Sequence, residues 1–145
     1  MVALLIAVAI AAAAAATTAT RWSDELRHEH EQELLRVGDA IAAGIASYRR
    51  ASAGSAIKYP PQLEDLLEDR RAFGTIRHLR QLYADPVNRG APWGLLRATD
   101  GGVMGVYSLS EGSPFARVAR KLAHVDLKPA ARYADWHFVP RDSDK

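Results

Sequence analysis

The fold is decided by the stretch Val2-Ala3-Leu4-Leu5-Ile6-Ala7-Val8-Ala9-Ile10, which continues into six alanines at residues 11–16. Residues 1–20 contain no charged side chain, no glycine and no proline. At 1.5 Å rise per residue, about twenty helical residues span roughly 30 Å, the thickness of a bilayer's hydrocarbon core. The sequence therefore predicts that residues 1–20 form the transmembrane half of a helix.

The same helix is predicted to continue as an amphipathic half over residues 21–51. Good helix formers fill this segment, and no proline occurs before Pro60. Apolar residues recur three, four or eight positions apart from Leu26 onward, which places them along one side of the helix. Gly38, Ala42 and Ala46 would permit close packing of another element. We expect the helix to pack on the rest of the protein through Leu34, Val37, Ile41, Ile45 and Tyr48.

The segment Arg27-His28-Glu29-His30-Glu31-Gln32-Glu33 is dense in possible metal ligands. On a helix, His28 and His30 point about 200° apart, so they cannot share one metal ion. The spacing instead favours a solvated helix face on which Arg27 pairs with Glu31 at i,i+4.

Residues 52–140 predict one small α+β domain, followed by a loose charged tail at 141–145. Helical spacing of apolar residues occurs at 62–69, 73–83 and 115–122. Strands are predicted at 93–97 and 103–108, because Asp100-Gly101-Gly102 between them supplies the conformations of a tight hairpin turn. A third strand is predicted at 133–139 from its alternating pattern. Because a hairpin alone is marginally stable, it needs this strand or packing on the long helix.

Composition narrows the possible functions. The net charge of +2 implies no strong field for nucleic acid, and the absence of cysteine excludes disulfides and thiolate catalysis. Acidic and amide side chains are expected to serve turns and caps, so no metal and no cofactor are predicted. No serine or histidine lies in a catalytic motif, so the chain is predicted not to be an enzyme. The residues weighed were Asp85, Asn88, Asp100, Asp126, Asp135, Ser108, Ser110, Ser113, His78, His124 and His137.

Several short motifs follow the long helix in a distinctive order. They are Tyr59-Pro60-Pro61-Gln62-Leu63, Leu82-Tyr83-Ala84-Asp85-Pro86, Trp93-Gly94-Leu95, Gly105-Val106-Tyr107-Ser108 and a closing Tyr133-Ala134-Asp135-Trp136 with Phe138. Together with the helix, they cover nearly the whole chain. The chain resembles the pseudopilins of type II secretion systems and related type IV pilins.

That resemblance implies a location and a set of partners. In the family, the helix sits in the bacterial inner membrane as a single pass, and the C-terminal domain is periplasmic. Subunits then polymerise as a helical filament that supports protein export. The expected partners are other pseudopilin subunits, the inner-membrane secretion machinery and membrane lipid. Burial between neighbours would involve Val2, Leu4, Leu5, Ile6, Val8 and Ile10.

Two features leave alternatives open. Family precursors carry a basic leader ending in glycine and then a Phe-Thr-Leu-Ile-Glu type of sequence, whereas this sequence begins at Met1-Val2-Ala3-Leu4-Leu5. If Met1 is counted as the mature start, Leu5 stands where an acidic residue is usual. The alanine-rich stretch is also compatible with a cleaved signal peptide and a mature start between residues 17 and 23. The alternative function is a membrane-anchored or signal-cleaved periplasmic accessory or binding protein that does not polymerise.

Overall fold

A computed structural model describes residues 1–52, 58–71, 74–115 and 117–141, with only the backbone described for residues 11–21. One helix, α1, runs over Val2–Arg50 and contains 49 residues. Arg49 and Arg50 lie in its last turn, where positive charge suits the helix dipole. The helix ends at Arg50 with Ala51 as its C-cap, close to the predicted end at residue 51, whereas residues 53–57 lie outside the described residues.

Two small antiparallel sheets accompany this helix. Strands β1 (Gly94–Arg97), β2 (Val103–Tyr107) and β5 (His137–Phe138) form the larger one, in the order β1-β2-β5. Strands β3 (Arg120–Lys121) and β4 (Asp126–Leu127) form the smaller one. The predicted hairpin is confirmed, and Gly101 takes the left-handed conformation in its turn, at φ 83°. The α+β class, with one long helix and small antiparallel sheets, is also confirmed.

The core lies between α1 and the larger sheet. Leu34, Val37, Ile41, Ile45 and Tyr48 are each at most 4% exposed. From the sheet side they meet a group of buried side chains that includes Val103, Val106, Trp136 and Phe138. The C-terminal half of α1 is therefore fixed to the domain by apolar burial.

Glycine at position 38 lets the sheet approach the helix closely. A Cβ placed on Gly38 would overlap the ring of Phe138. The close packing expected from the small residues of this helix segment is thus observed at Gly38, where the sheet's last strand crosses α1.

Four of the predicted shorter elements differ from the structure in whole or in part. In the segment 62–69, only Leu63–Leu66 is helical, as a 3-10 turn. The predicted helix at 73–83 is wrong over its described part, where Ile76 forms an antiparallel bridge with Asp69. The predicted helix at 115–122 is also wrong, since its described residues lead into β3. The strand predicted at 133–139 is confirmed only at His137–Phe138, because Tyr133–Asp135 forms a 3-10 turn.

The physical reason is that distant partners take the backbone groups that a helix would use. The N–H groups of His78 and Leu79 both donate to the carbonyl of Leu66. The N–H of Phe115 donates to the Glu31 side chain. Tertiary contacts thus override a weak local preference for helix.

The predicted loose tail is described only at its first residue. Arg141 is held in place, because its backbone N–H donates to the carbonyl of His124. Its guanidinium also donates to the carbonyls of Leu122 and Ala123. Residues 142–145 lie outside the described residues.

The predicted membrane location is contradicted. Helix α1 contains 49 residues, so its length alone would suffice to cross a bilayer. Within the part of the chain that the structure describes, no helix combines the length and the apolar character needed to cross a membrane. The interpretation of residues 1–20 as a transmembrane half, and of the chain as a single-pass inner-membrane protein, is therefore wrong.

Candidate functional site

The first ten residues of the chain form an apolar arm, by which we mean residues 1–10 of the helical N-terminal segment. Along α1, every residue with a described side chain before Glu31 is exposed. The seven large apolar side chains of the arm are between 54% and 102% exposed. They are Met1, Val2, Leu4, Leu5, Ile6, Val8 and Ile10.

The apolar side chains point in all directions around the arm. Successive residues of an α-helix are turned by about 100°, so Leu4, Leu5 and Ile6 alone face three different sides. A helix that is apolar all round is of the kind normally found buried among other elements. A contiguous exposed apolar surface marks a site of interaction. The arm is therefore the strongest candidate site for binding to another protein chain.

Glu31 marks the point where α1 enters the domain, and its side chain is fully buried. Its carboxylate accepts hydrogen bonds from the Phe115 N–H at 2.7 Å, the Tyr133 hydroxyl at 3.0 Å and Arg120 Nη2 at 3.3 Å. Burial raises the pKa of Tyr133, and the hydrogen bond to the Glu31 carboxylate raises it further. This cluster fastens two loops of the domain to one point on the helix.

The predicted pairing of Arg27 with Glu31 is wrong. Arg27 forms an exposed ion pair with Asp24 at 3.9 Å, and its guanidinium lies 4.9 Å from the ring centroid of Phe115. The sequence did contain a signal for the burial of Glu31, because it precedes Leu34 by three positions and so extends the apolar stripe. Its donors lie 84 to 102 residues away, and no local pattern could identify them.

A second buried polar cluster closes the far end of α1. His78 lies between Ser47 Oγ, 2.8 Å from its Nδ1, and Asp69 Oδ2, 3.1 Å from its Nε2. Asp69 also accepts from Arg71, at 2.8 Å from Nε and 2.7 Å from Nη2. The bonds from Arg71 hold the pKa of Asp69 well below its usual range, against the opposing effect of burial.

This cluster contains a serine, a histidine and an aspartate, the residue types of a serine hydrolase, but its serine and histidine do not face a cleft that a substrate could enter. A catalytic serine must face a cleft that a substrate can enter. The His78 side chain is only 1% exposed, and neither Ser47 nor His78 lines the cavity beside Asp69. Arg71 instead donates to the Tyr48 carbonyl at 2.9 Å and to Ser52 Oγ at 2.8 Å, so the cluster caps the C-terminus of α1. Sequence spacing gave His78 no partner, and the fold supplies two.

The acidic residues considered as oxygen donors serve other purposes. The turn role predicted for Asp85 is confirmed, since its Oδ1 accepts from the Val87 N–H at 3.0 Å. Asp100 likewise accepts from the Gly102 N–H at 3.0 Å. Asp135 pairs with Arg132 at 2.8 Å, and the His137 ring packs against the Tyr107 ring. The described residues include no group of three possible metal ligands among His, Cys, Asp and Glu.

A cleft runs beside β1, the edge strand of the larger sheet. Its walls include Leu63, Leu82, Tyr83 and Leu95. Two polar side chains that line this cleft are engaged within the chain, the first being Trp93, whose Nε1 donates to the Tyr83 carbonyl at 2.8 Å. The Arg97 guanidinium similarly donates to the carbonyl of Gly101 at 2.7 Å.

The chain matches no protein-family model, and comparison with curated proteins and with solved structures likewise finds no significant match. The resemblance to pseudopilins therefore stays a prediction. A function has to be inferred from the chain's own residues and their geometry.

Proposed function

We propose that this chain is a pilin-like subunit, similar to the pseudopilins of type II secretion, that assembles into a helical filament and thereby supports protein export. The observation that carries the proposal is the exposure of all seven large apolar side chains of the apolar arm. The partners that we propose are further copies of this chain or related pseudopilin subunits. The chain acts through assembly and not through catalysis.

The free energy of burying the arm is large enough to drive assembly. Full burial of one aliphatic side chain contributes about 1.5–3 kcal/mol, whereas an exposed ion pair contributes about 0–1 kcal/mol. Four or five buried side chains per copy therefore outweigh any single surface ion pair. Loss of translational freedom opposes association by an amount of similar size, so the arm must be buried on several sides.

The all-round apolar surface favours a bundle over a pair of helices. Two helices that pack in a coiled coil bury one stripe each, at positions about 3.5 residues apart. In such a pair the stripe that contains Leu4 would leave Leu5 and Ile6 at least partly in water. Several arms packed around one another bury all faces, which is the arrangement at the centre of a pilin-type filament.

The remainder of α1 supports this division of roles. From Glu31 onward the helix is held by its own domain, through buried apolar residues and the carboxylate of Glu31. The domain therefore does not need the arm for its own core. The arm remains available for other copies.

The test is assembly of the purified full-length protein. We expect a rise in sedimentation coefficient with concentration and helical filaments in electron micrographs. Leu5→Asp and Ile6→Asp place a charge inside the bundle and should abolish both. The matched control is Leu109→Asp, because Leu109 is a 47% exposed apolar residue on the domain and not on the arm. This control should assemble as the wild type does.

Two results would contradict the proposal. The first is a wild-type protein that stays monomeric at every concentration, which is the behaviour of a non-polymerising accessory protein. The second is assembly that persists in both arm variants. Mass spectrometry of the protein from its native source adds a further check, since a mature start between residues 17 and 23 would remove the arm altogether.

A further inference from the structure

One exposed face of α1 carries an acidic strip, defined here as Glu25 and Glu29. These two residues lie four apart, so they share one face of the helix. Gln32 and Arg36 continue this face toward the domain and are also exposed, so it faces away from the domain core. Asp24 and Glu33 are already paired, with Arg27 and Arg36. Among the described residues, Glu25 and Glu29 have no ion-pair partner.

The flank of the domain carries a basic ridge, defined here as Arg117 and Lys121. The segment that holds it runs alongside α1, because Arg120 contacts Glu31 at 3.3 Å and the His124 N–H donates to Asp39 at 2.8 Å. Both ridge residues are exposed, and no described residue forms an ion pair with either. Phe115 and Val118 lie in the same segment and are 44% and 61% exposed.

We propose that the basic ridge of one copy binds the acidic strip of the next copy in the filament, with Phe115 and Val118 packed at that contact. This inference rests on the proposed function, because assembly through the arm is what brings copies side by side. The two surfaces have opposite charge and lie on different parts of the chain. The contact is therefore heterologous, which is the kind that continues into an open polymer.

Two charge pairs can form between neighbouring copies, Arg117 with Glu25 and Lys121 with Glu29, and both require the same offset along the helix axis. Phe115 and Arg120 both contact Glu31, so Arg117 lies close to the level of Glu31 along α1. Glu25 precedes Glu31 by six residues, which corresponds to roughly 9 Å of helix at 1.5 Å per residue. If the neighbouring copy is displaced by the same distance along the helix axis, its Glu29 lies at a level between Glu31 and Asp39 of the first copy. Lys121 of the first copy lies at that level. Both pairs can thus form in one arrangement.

Charge reversal of each surface, alone and in mixture, tests the contact. One variant carries Glu25→Lys with Glu29→Lys, and the other carries Arg117→Glu with Lys121→Glu. Each variant alone places like charges together, so we expect its critical concentration for assembly at low salt to rise about tenfold or more. An equimolar mixture should restore assembly, because each reversed surface then meets a complementary one on the other variant. The recovery also shows that both variants are folded.

The matched control combines Glu64→Lys with Arg80→Glu, which reverses two exposed charges outside the strip and the ridge. This control should assemble as the wild type does. At about 1 M salt, where the Debye length is about 3 Å, the differences between variants should largely disappear.

The results separate the two proposals. If the wild type assembles and Leu5→Asp does not, but reversed variants assemble normally or their mixture fails to recover, the strip-to-ridge contact is overturned and arm-driven assembly stands. If the ridge reversal impairs assembly but the strip reversal does not, the ridge has another partner and the contact is likewise overturned. If the wild type does not assemble at all, both proposals fail.

Discussion

The hydroxyl of Tyr133 donates a 3.0 Å hydrogen bond to the carboxylate of Glu31, across 102 residues of sequence. The same carboxylate accepts from the Phe115 N–H and from Arg120. A single buried side chain of α1 therefore connects three distant parts of the chain. This carboxylate adds a polar attachment to the apolar contacts that hold the helix on its domain.

Replacement of Glu31 should be costly. Glu31→Ala leaves the Tyr133 hydroxyl and the Phe115 N–H without their acceptor, and each unsatisfied buried group costs about 1–3 kcal/mol. We expect the free energy of unfolding to fall by about 3 kcal/mol for Glu31→Ala and by about 1–2 kcal/mol for Tyr133→Phe. In a double-mutant cycle, the two should show a coupling energy of about 0.5–3 kcal/mol.

Urea unfolding followed by tryptophan fluorescence measures these changes. The control is Glu33→Ala, since Glu33 is exposed and, among the described residues, pairs with Arg36 on the helix surface. Its loss should change stability by no more than about 0.5 kcal/mol. Equal effects of Glu31→Ala and Glu33→Ala would contradict the prediction.

Two glycines of α1 provide a matched pair for testing the helix-sheet contact. In Gly38→Ala the new methyl group would overlap the Phe138 ring, so we expect a loss of about 1–3 kcal/mol from overpacking. In Gly44→Ala the nearest atom is the His78 carbonyl oxygen at 3.3 Å, and the better helix propensity of alanine contributes about 1 kcal/mol in the opposite direction. Gly44→Ala should therefore stay within about 1 kcal/mol of the wild type. Thermal unfolding compares the two, and a Gly38→Ala protein as stable as Gly44→Ala would refute the contact.

The Asp69 cluster predicts a loss of stability in acid. The pKa of the Asp69 carboxyl is lowered in the folded state, chiefly by the hydrogen bonds from Arg71. As the pH falls, the Asp69 carboxylate takes up a proton near pH 4, its ordinary pKa, in the unfolded chain but not in the folded chain. The stabilising contribution of Asp69 is thus fully present above about pH 4 and is lost as the pH falls toward the folded pKa.

Asp69→Asn is the variant that tests this. It should be less stable than the wild type at neutral pH, and the difference should shrink as the pH drops below about 4. Urea midpoints measured across the acid range give the comparison. A difference that remains constant down to the lowest pH would show that Asp69 does not contribute through its charge.

Helical periodicity was sufficient to predict which side of α1 is buried, because that pattern is a direct consequence of one face meeting a core. The Asp100-Gly101-Gly102 turn was equally sufficient for the hairpin, since few residues adopt its backbone conformations. Both features are local. A short stretch of sequence contains all the information that they need.

The partners of Glu31 and His78 could not be predicted in this way. Each is a polar side chain whose burial is tolerated only because distant groups complete its hydrogen bonds. The failed helix at 73–83 has the same origin, since the carbonyl of Leu66 accepts the N–H groups of His78 and Leu79. The membrane interpretation is contradicted on a separate ground, because no helix within the described part of the chain is long and apolar enough to cross a membrane. The apolar arm is exposed along residues 1–10, and its use by other copies is a proposal.

Tyr133 predicts a change of stability at the opposite end of the pH scale. Burial keeps its phenolate from water, and the negative charge of Glu31 lies beside it, so the pKa is raised in the folded state. The unfolded chain loses this proton near pH 10, while the folded chain retains it. The contribution of Tyr133 to the free energy of unfolding is therefore complete below about pH 10 and decreases as the pH rises further.

We expect the stability of the wild type to fall more steeply above about pH 10 than that of Tyr133→Phe, with parallel curves between about pH 7 and 9. Tyr48, whose pKa is also raised by burial, titrates in both proteins and cancels from the comparison. Urea midpoints against pH test the difference in slope, and tyrosinate absorbance should show one late-titrating group fewer in the variant. Identical slopes above pH 10 would mean that the Tyr133 hydroxyl is not held by Glu31.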